Sequence, residues 1–204
     1  MDLRYIPFSV PVGEAQPPLS HGLIFGVAGS GKTLLAQHIA QKFVSSFNQC
    51  ASDSGARVIV GTSSTTDNWN DDCTLYEGLN NSGDSSLDSF MVGIEKLVHN
   101  RLGFVRRGAD LGIDLDETVP LLPPVLVIVD GVDWRVPEGK QNLKRIVSMV
   151  RISRHAGVFF LFTAQSLVGL SGLINQMSYS ISLDENSAKN TGKPYAGNQE
   201  PGQK

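Results

Sequence analysis

Short segments rich in apolar residues recur along the chain, each bounded by glycine, proline or polar residues. Four of them, at 23–25, 57–60, 125–130 and 158–163, consist mainly of consecutive apolar residues. This pattern is typical of strands buried on both faces of a parallel sheet. A fifth segment, 179–183, alternates between polar and apolar positions, which predicts a last strand with one exposed face.

Between these segments the apolar residues follow helical spacing. The first such stretch carries Leu35, Ile39, Phe43 and Phe47; the second Leu87, Phe90, Met91, Ile94, Leu97 and Val98; the third, over 138–155, Leu143, Ile146, Val147 and Val150. Ser86 is a suitable N-cap for the second helix, and Gly157 is placed to end the third. Strands that alternate with helices predict an α/β fold, with a mostly parallel sheet flanked by helices on both faces.

The remaining segments predict one domain over 1–204 without internal repeats. Residues 1–20 contain four prolines and are expected to form an extended lead-in. Residues 62–85 are rich in Ser, Thr, Asn, Asp and Gly, which predicts an irregular loop. Residues 167–177 are expected to form a short helix or turn, and 184–204 a polar tail.

Composition narrows the functional class. The formal net charge of -3 and the isoelectric point near 5.8 give no basic surface of the kind that whole-surface nucleic-acid binders carry. The only cysteines, Cys50 and Cys73, have no metal-ligand or redox spacing. No apolar run is long enough to span a bilayer, and the N-terminus lacks the layout of a signal peptide. These features predict a cytoplasmic protein whose membrane attachment, if any, comes from other domains or subunits.

Residues 26–33, with the sequence GVAGSGKT, fit the phosphate-binding P-loop pattern between a predicted strand and a predicted helix. Glycines allow successive backbone N–H groups to point at phosphates, and the helix N-terminus adds partial positive charge. Lys32 is expected to reach the β- and γ-phosphates of ATP, and the Thr33 hydroxyl to ligate Mg²⁺. The predicted ATP-binding residues are Gly26, Gly29, Ser30, Gly31, Lys32 and Thr33. The alternative is a glycine-rich turn that happens to precede a helix.

Two polar residues lie where predicted strands end. Asp130 closes the apolar segment 125–130, as the Walker B aspartate of a P-loop protein does, and would bind Mg²⁺ together with Thr33. Gln165 follows the next strand, at the carboxyl end where an open parallel sheet presents groups to its ligand. The alternatives are a turn-capping role for Asp130 and a Gln165 side chain at the sheet edge without a ligand.

The order of these elements resembles the motor domain of the FtsK/SpoIIIE family, within the FtsK/HerA superfamily, over nearly the whole chain. The segment 21–26, HGLIFG, resembles the family's approach to its P-loop. The segment 153–158, SRHAGV, resembles its Gly-Arg-Ala-Ala-Gly-Ile element, and 163–165, TAQ, its Ala-Thr-Gln with the first two residues exchanged. The segments 153–158 and 163–165 make the resemblance specific, since a P-loop alone indicates only a superfamily.

The resemblance implies a RecA-like P-loop NTPase that forms a homo-oligomeric ring, usually hexameric, and uses ATP to pull double-stranded DNA through its pore. The matching glutamine would lie beside the γ-phosphate, and the matching arginine would reach into a neighbouring subunit's site. These catalytic roles would fall on Gln165 and Arg154, with Asp130 as the Walker B residue. Arg154 alternatively is a cation that interacts favourably with the helix C-terminus. Arg101, Arg106 and Arg107 lie near the end of the second predicted helix. They are either exposed to solvent there or in contact with a neighbour, and both interpretations stay open.

One departure from the family changes the expected activity. The family has a glutamate directly after the strand aspartate, whereas this chain has Gly131, with Asp133 as a possible substitute. A missing general base typically lowers turnover by about 10²–10⁴-fold, so hydrolysis is expected to be reduced. The alternative to DNA translocation is an EccC-type ATPase domain of type VII secretion, with a secreted protein as partner and a regulatory or substrate-binding role. A third possibility is a nucleotide-binding structural subunit without turnover.

Overall fold

The computed structural model describes residues 20–48, 56–65, 69, 73–79, 86–112 and 122–183. The predicted tail at 184–204 and all of the predicted lead-in except Ser20 lie outside the described residues. The extent of a single domain over 1–204 therefore stays a prediction.

The described strands form one sheet in which every pairing is parallel. They are β1 (Gly22–Phe25), β2 (Arg57–Thr62), β3 (Cys73–Tyr76), β4 (Val125–Asp130), β5 (Val158–Ala164) and β6 (Tyr179–Ser182). Their order across the sheet is β3-β2-β4-β5-β1-β6. The five predicted strands and the parallel α/β sheet are confirmed.

Strand β3 was not predicted; it lies within the segment 62–85, which the sequence pattern predicted to be an irregular loop. It lies at the edge of the sheet and pairs only with β2. Its residues Thr74, Leu75 and Tyr76 are exposed, so the segment lacks the consecutive apolar residues that mark the buried strands. An edge strand pairs with only one other strand and has no need of consecutive apolar residues, so its sequence pattern is weak.

Three long helices connect the strands: α1 (Lys32–Asn48), α2 (Leu87–Asp110) and α3 (Pro137–Ser153). Ser86 caps α2 as predicted, because its hydroxyl accepts a hydrogen bond from the Ser89 amide at 3.2 Å. A 3-10 turn, Arg154–Ala156, extends α3, and Gly157 ends it in the left-handed conformation with φ 63°. A short helix, α4 (Ser171–Ile174), precedes β6. None of the helices in these described segments combines the length and apolarity that crossing a bilayer requires.

The helices cover both faces of the sheet, as predicted. On one face Ile39 and Phe43 of α1 pack with Ile128 and Leu161. On the other face α2 and α3 cover a core that includes Val127, Phe160 and Phe162. Strands β4 and β5 are buried along their whole length, because each contributes side chains to both cores.

Arg101 of α2 lies at the amino end of the sheet and contacts the chain internally. Its Nε donates to the Ala156 carbonyl at 2.7 Å, and its NH2 group donates to the Pro123 carbonyl at 2.6 Å. Burial lowers the pKa of this guanidinium, and the positive charge of Arg57 lowers it further. Arg101 is therefore not simply an exposed cation at a helix end, because it binds two carbonyls of its own chain; contact with a neighbour stays a prediction. Arg106 and Arg107 are exposed.

Candidate nucleotide-binding site

Three segments that contain predicted site residues lie at the carboxyl edge of the sheet. The loop 26–33 follows β1, Asp130 ends β4, and Gln165 follows β5. Because β5 lies between β1 and β4, the residue after β5 lies between the glycine-rich loop and the aspartate. The strand order thus brings together segments that are separated by about a hundred residues in the chain.

The loop 26–33 has a conformation that glycine permits and other residues strongly disfavour. Gly29 and Gly31 have φ of 76° and 88°, in the left-handed region. A Cβ built on either glycine meets nothing within 4 Å among the described residues, so backbone conformation and not crowding requires glycine there. The Gly26 amide donates to the Ala164 carbonyl at 3.1 Å, which fixes the start of the loop against β5.

Lys32 bends back over this loop. Its Nζ donates to the Gly26 carbonyl at 2.8 Å and to the Val27 carbonyl at 2.6 Å. The ammonium is thereby held at the mouth of the loop, at the start of α1. A charged group held there by carbonyls can exchange them for phosphate oxygens, which are stronger acceptors.

Asp130 is buried, and a hydroxyl donates to each of its carboxylate oxygens. Thr33 Oγ1 donates to Oδ2 at 2.9 Å, and Thr163 Oγ1 donates to Oδ1 at 2.7 Å. Only 2% of Asp130 and 1% of Thr163 is exposed, so the carboxylate is almost completely enclosed. The structure therefore joins Thr33 and Asp130, as the motif predicted, and adds Thr163.

The Thr33 and Asp130 oxygens fit a Mg²⁺ site. In octahedral coordination at about 2.0–2.1 Å, neighbouring oxygen ligands lie about 2.9 Å apart. The observed separation between Thr33 Oγ1 and Asp130 Oδ2 is 2.9 Å. The hydroxyl can ligate the ion directly, and the carboxylate can bind it directly or through its water shell.

Thr163 was not among the predicted site residues. The signal for it was the exchange of threonine and alanine in 163–165 relative to the family that the sequence resembles. In a strand, neighbouring residues face opposite sides, so the exchange moves the hydroxyl to the other face of β5. Its partner could not be read from the sequence, because the pairing of β4 with β5 is a property of the fold.

Gly131 carries no side chain where the resembled family has glutamate, and its backbone is left-handed with φ 71°. Its amide donates to Thr163 Oγ1 at 2.9 Å, and its carbonyl accepts from Ser63 Oγ at 2.8 Å. A Cβ on Gly131 would clash with Ser63 Oγ. The chain therefore turns sharply at Gly131, and a glutamate there would be strained and in conflict with Ser63.

Asp133, the possible substitute for the missing glutamate, is paired with Arg135. Its two carboxylate oxygens accept from Arg135 Nε at 2.9 Å and from Arg135 NH2 at 3.0 Å. Hydrogen bonds from the Arg135 side chain and amide lower the pKa of Asp133 to about 2. A carboxylate with so low a pKa is a weak base, so the pairing works against a role in proton abstraction.

Gln165 is exposed and lines a shallow cleft at the carboxyl edge. The cleft is shared with Gly131, Asp133 and Arg135. Trp134, whose buried ring packs edge-on against Phe162, anchors the loop that forms its other wall. Gln165 thus lies on the side of the sheet edge where the loop after Asp130 runs.

Arg154 is not brought together with the other predicted site residues. It lies in the turn before β5, at the amino edge of the sheet, where its NH2 group donates to Ser178 Oγ at 3.1 Å. The seven residues of β5 separate this edge from Gln165. At about 3.3 Å per residue the separation is roughly 20 Å. Arg154 is too far away to act on a nucleotide bound to its own chain.

The fold is similar to that of ATPase domains in solved structures. Two solved structures that this chain resembles are of EssC. The cytoplasmic domain of EssC matches with a TM-score of 0.59 at 17% identity, over 80% of this chain and 32% of that one. EssC (ATPases 2 and 3) from Geobacillus thermodenitrificans matches with a TM-score of 0.57 at 17% identity, over 87% of this chain and 35% of that one.

A third structure, the cytoplasmic domain of the Thermomonospora curvata type VII secretion ATPase EccC, has a TM-score of 0.49, at 17% identity over 80% of this chain and 20% of that one. The chain spans about a third of the EssC structures. No protein-family model and no curated protein sequence matches the chain. At this identity the likeness concerns the fold, and it agrees with the sequence resemblance to FtsK/HerA-type ATPases.

Proposed function

We propose that this chain is an ATP-binding ATPase domain of the secretion type, with slow hydrolysis and a role in binding or regulating a protein partner. The observation that carries nucleotide binding is the 2.9 Å contact between Thr33 and Asp130, beside a loop whose Gly29 and Gly31 are left-handed. A glycine-rich turn without a ligand would not need a buried carboxylate aimed at the first residues of the following helix.

In this proposal each residue has a definite task toward ATP. The amides of the loop 26–33 bind the phosphates, and Lys32 leaves the Gly26 and Val27 carbonyls to bind the β- and γ-phosphates. Bound Mg²⁺ would neutralise charge on these phosphates. Thr33 and Asp130 hold it in place, and Gln165, exposed at the end of β5, orients the attacking water, as glutamine does in other P-loop enzymes.

Slow turnover is proposed because two features remove the expected base. Gly131 has no carboxylate, and Asp133 is bound by Arg135 with its pKa lowered to about 2. The loss of a general base accounts for about 10²–10⁴-fold in rate. ATP would then stay bound long enough to act as a ligand that stabilises one state of the domain.

The likeness to EssC domains supports a protein partner over DNA. It agrees with the loss of the glutamate, since a binding or regulatory domain does not need fast hydrolysis. Double-stranded DNA translocation, the first expectation from the sequence, is the second candidate. The resemblance of residues 153–158 and 163–165 to FtsK elements favours it.

A homo-oligomeric ring, hexameric in the family that the sequence resembles, is proposed together with a role for Arg154 in trans. The position of Arg154 at the amino edge supports action on a neighbour's nucleotide, since its own site lies roughly 20 Å away. Turnover per subunit should then rise with protein concentration. Arg154→Ala should bind ATP normally but hydrolyse it poorly, whereas Arg151→Ala, an exposed arginine on the same helix end, should hydrolyse it normally. Constant turnover per subunit on dilution to monomer would contradict this role.

The central experiment measures ATP·Mg²⁺ binding by calorimetry and ATP turnover. Lys32→Ala should abolish tight binding and leave the fold intact, while Lys144→Ala, an exposed lysine on α3, should bind like the wild type. Equal affinity of Lys32→Ala and the wild type would refute nucleotide binding at this site. Turnover should be slow, and stimulation by the secreted partner without stimulation by double-stranded DNA would support the secretion-type function; stimulation by DNA alone would support translocation.

A further inference from the structure

Thr163 makes two hydrogen bonds with one hydroxyl, and together they determine the direction of each. The Gly131 amide donates to Oγ1 at 2.9 Å, so the hydroxyl is an acceptor in that bond. Its single proton is then available for Asp130 Oδ1, which lies 2.7 Å away. Because a threonine hydroxyl has one proton, this arrangement commits it to the carboxylate.

This bond decides which carboxylate oxygen faces the nucleotide site. With Oδ1 occupied by Thr163, Oδ2 is the oxygen that meets Thr33, at 2.9 Å. Thr163 is 1% exposed and lies on a fully buried strand, so its side chain is fixed by packing. A buried hydroxyl that holds a carboxylate in this way acts on a metal ion through the carboxylate, without touching the ion.

We propose that Thr163 is a positioning residue for Asp130, which presents Oδ2 toward Mg²⁺ and thereby sets the Mg²⁺ dependence of nucleotide binding. The inference rests on the proposed function. The inference extends the proposed function, because Thr163 is not among the residues that the sequence motif assigns to the site. A structural role alone, in which Thr163 serves only as acceptor for the Gly131 amide, would leave the response to Mg²⁺ unchanged.

The test follows binding of a fluorescent ATP analogue to the full chain while MgCl₂ is titrated from EDTA-buffered solution. Thr163→Val keeps the shape of the side chain and removes the hydroxyl. We expect it to raise the Mg²⁺ concentration for half-maximal binding by about tenfold or more, the usual effect of losing a partner of a metal ligand. Binding without Mg²⁺ should equal that of the wild type, and Thr163→Ser should restore most of the Mg²⁺ response.

The matched control is Thr62→Val. Thr62 is also 1% exposed and pairs in register with Asp130 from β2, but its hydroxyl accepts from the Ser64 amide. Its loss should not change the Mg²⁺ response. An unchanged response in Thr163→Val, an equal shift in Thr62→Val, or no rescue by Thr163→Ser would each overturn the inference.

Unfolding curves recorded alongside show whether each variant is folded. If Thr163→Val does not fold, Thr163→Cys replaces it, since a thiol fills similar space but donates weakly. It should shift the Mg²⁺ response in the same direction, and a wild-type response would overturn the inference. A wild-type chain that binds nucleotide without any dependence on Mg²⁺ would overturn this inference alone. A wild-type chain that binds no nucleotide would overturn the proposed function and this inference with it.

Discussion

Replacing Gly131 by alanine should cost more stability than its backbone conformation alone explains. Gly131 has φ 71°, and an L-residue in the left-handed region costs about 1–2 kcal/mol. The new Cβ would also clash with Ser63 Oγ, so the serine must rotate away and lose its hydrogen bond to the Gly131 carbonyl. A lost hydrogen bond adds about 1 kcal/mol. The expected decrease in the free energy of unfolding is therefore about 2–3 kcal/mol.

Gly112 provides the matched control for this prediction. Its φ is 79°, close to that of Gly131, but a Cβ on it meets nothing within 4 Å among the described residues. Gly112→Ala should therefore lose only the conformational part, about 1–2 kcal/mol. The difference between the two variants isolates the contact with Ser63.

Urea unfolding of four proteins measures this contact directly: the wild type, Gly131→Ala, Ser63→Ala and the double variant. In the Ser63→Ala background the clash and the hydrogen bond are already absent. The double variant should therefore lose about 1 kcal/mol less unfolding free energy than the sum of the losses in the two single variants. Additive losses, or equal losses in Gly131→Ala and Gly112→Ala, would refute the claim that Ser63 holds the loop after Asp130.

Three further predictions concern residues away from the phosphates. His21 is buried, and burial, assisted by the positive charge of Arg154 and opposed by the Val150 carbonyl, lowers its pKa from 6.5 to about 4. The unfolded chain then binds this proton more tightly than the folded chain, so the free energy of unfolding is highest above about pH 6.5 and falls by about 3 kcal/mol as the pH drops toward 4. His21→Gln should make the free energy of unfolding less dependent on pH in this range. A pH dependence equal to that of the wild type would contradict the prediction. Arg101→Met should lower the free energy of unfolding by about 2 kcal/mol, because two part-buried hydrogen bonds to carbonyls are lost. Replacing the exposed Arg106 by Met should change it by less than about 0.5 kcal/mol in the same assay. Asp133→Asn should leave ATP turnover nearly unchanged, and a large decrease would show that Asp133 is the base after all.

The parts of the fold that the sequence predicted are those with strong local patterns. Strands β4 and β5 are buried on both faces, so their apolar residues are consecutive, and the bounds follow from Asp130 and Gly157. The edge strand β3 has exposed residues and one partner, and its pattern could not be told from that of a polar loop.

The residues of the candidate site also fall into those that a local sequence motif predicted and those that depend on the fold. Sequence motifs predicted the glycine-rich loop, Lys32, Thr33 and Asp130, because the spacing of such motifs determines how their residues are arranged. The contact between Thr33 and Asp130 agrees with this prediction. The partners of Arg101 and of Thr163 depend on which strands and turns lie side by side. That order is set by the packing of the whole sheet, and no short segment of the sequence encodes it.

Two of the departures from the family that this chain resembles, at Gly131 and at Thr163, are structurally connected. The left-handed Gly131 after Asp130 turns its amide toward β5, where the N–H group finds a hydrogen-bond acceptor. Threonine at position 163 supplies that acceptor, at 2.9 Å, while its proton goes to Asp130. With alanine at 163 and threonine at 164, the hydroxyl would face the other side of β5, and the Gly131 amide would lose this partner. The glycine in place of the family's glutamate and the threonine that binds Asp130 are therefore linked through one hydroxyl group, so a change at either position would remove a hydrogen bond made by the other.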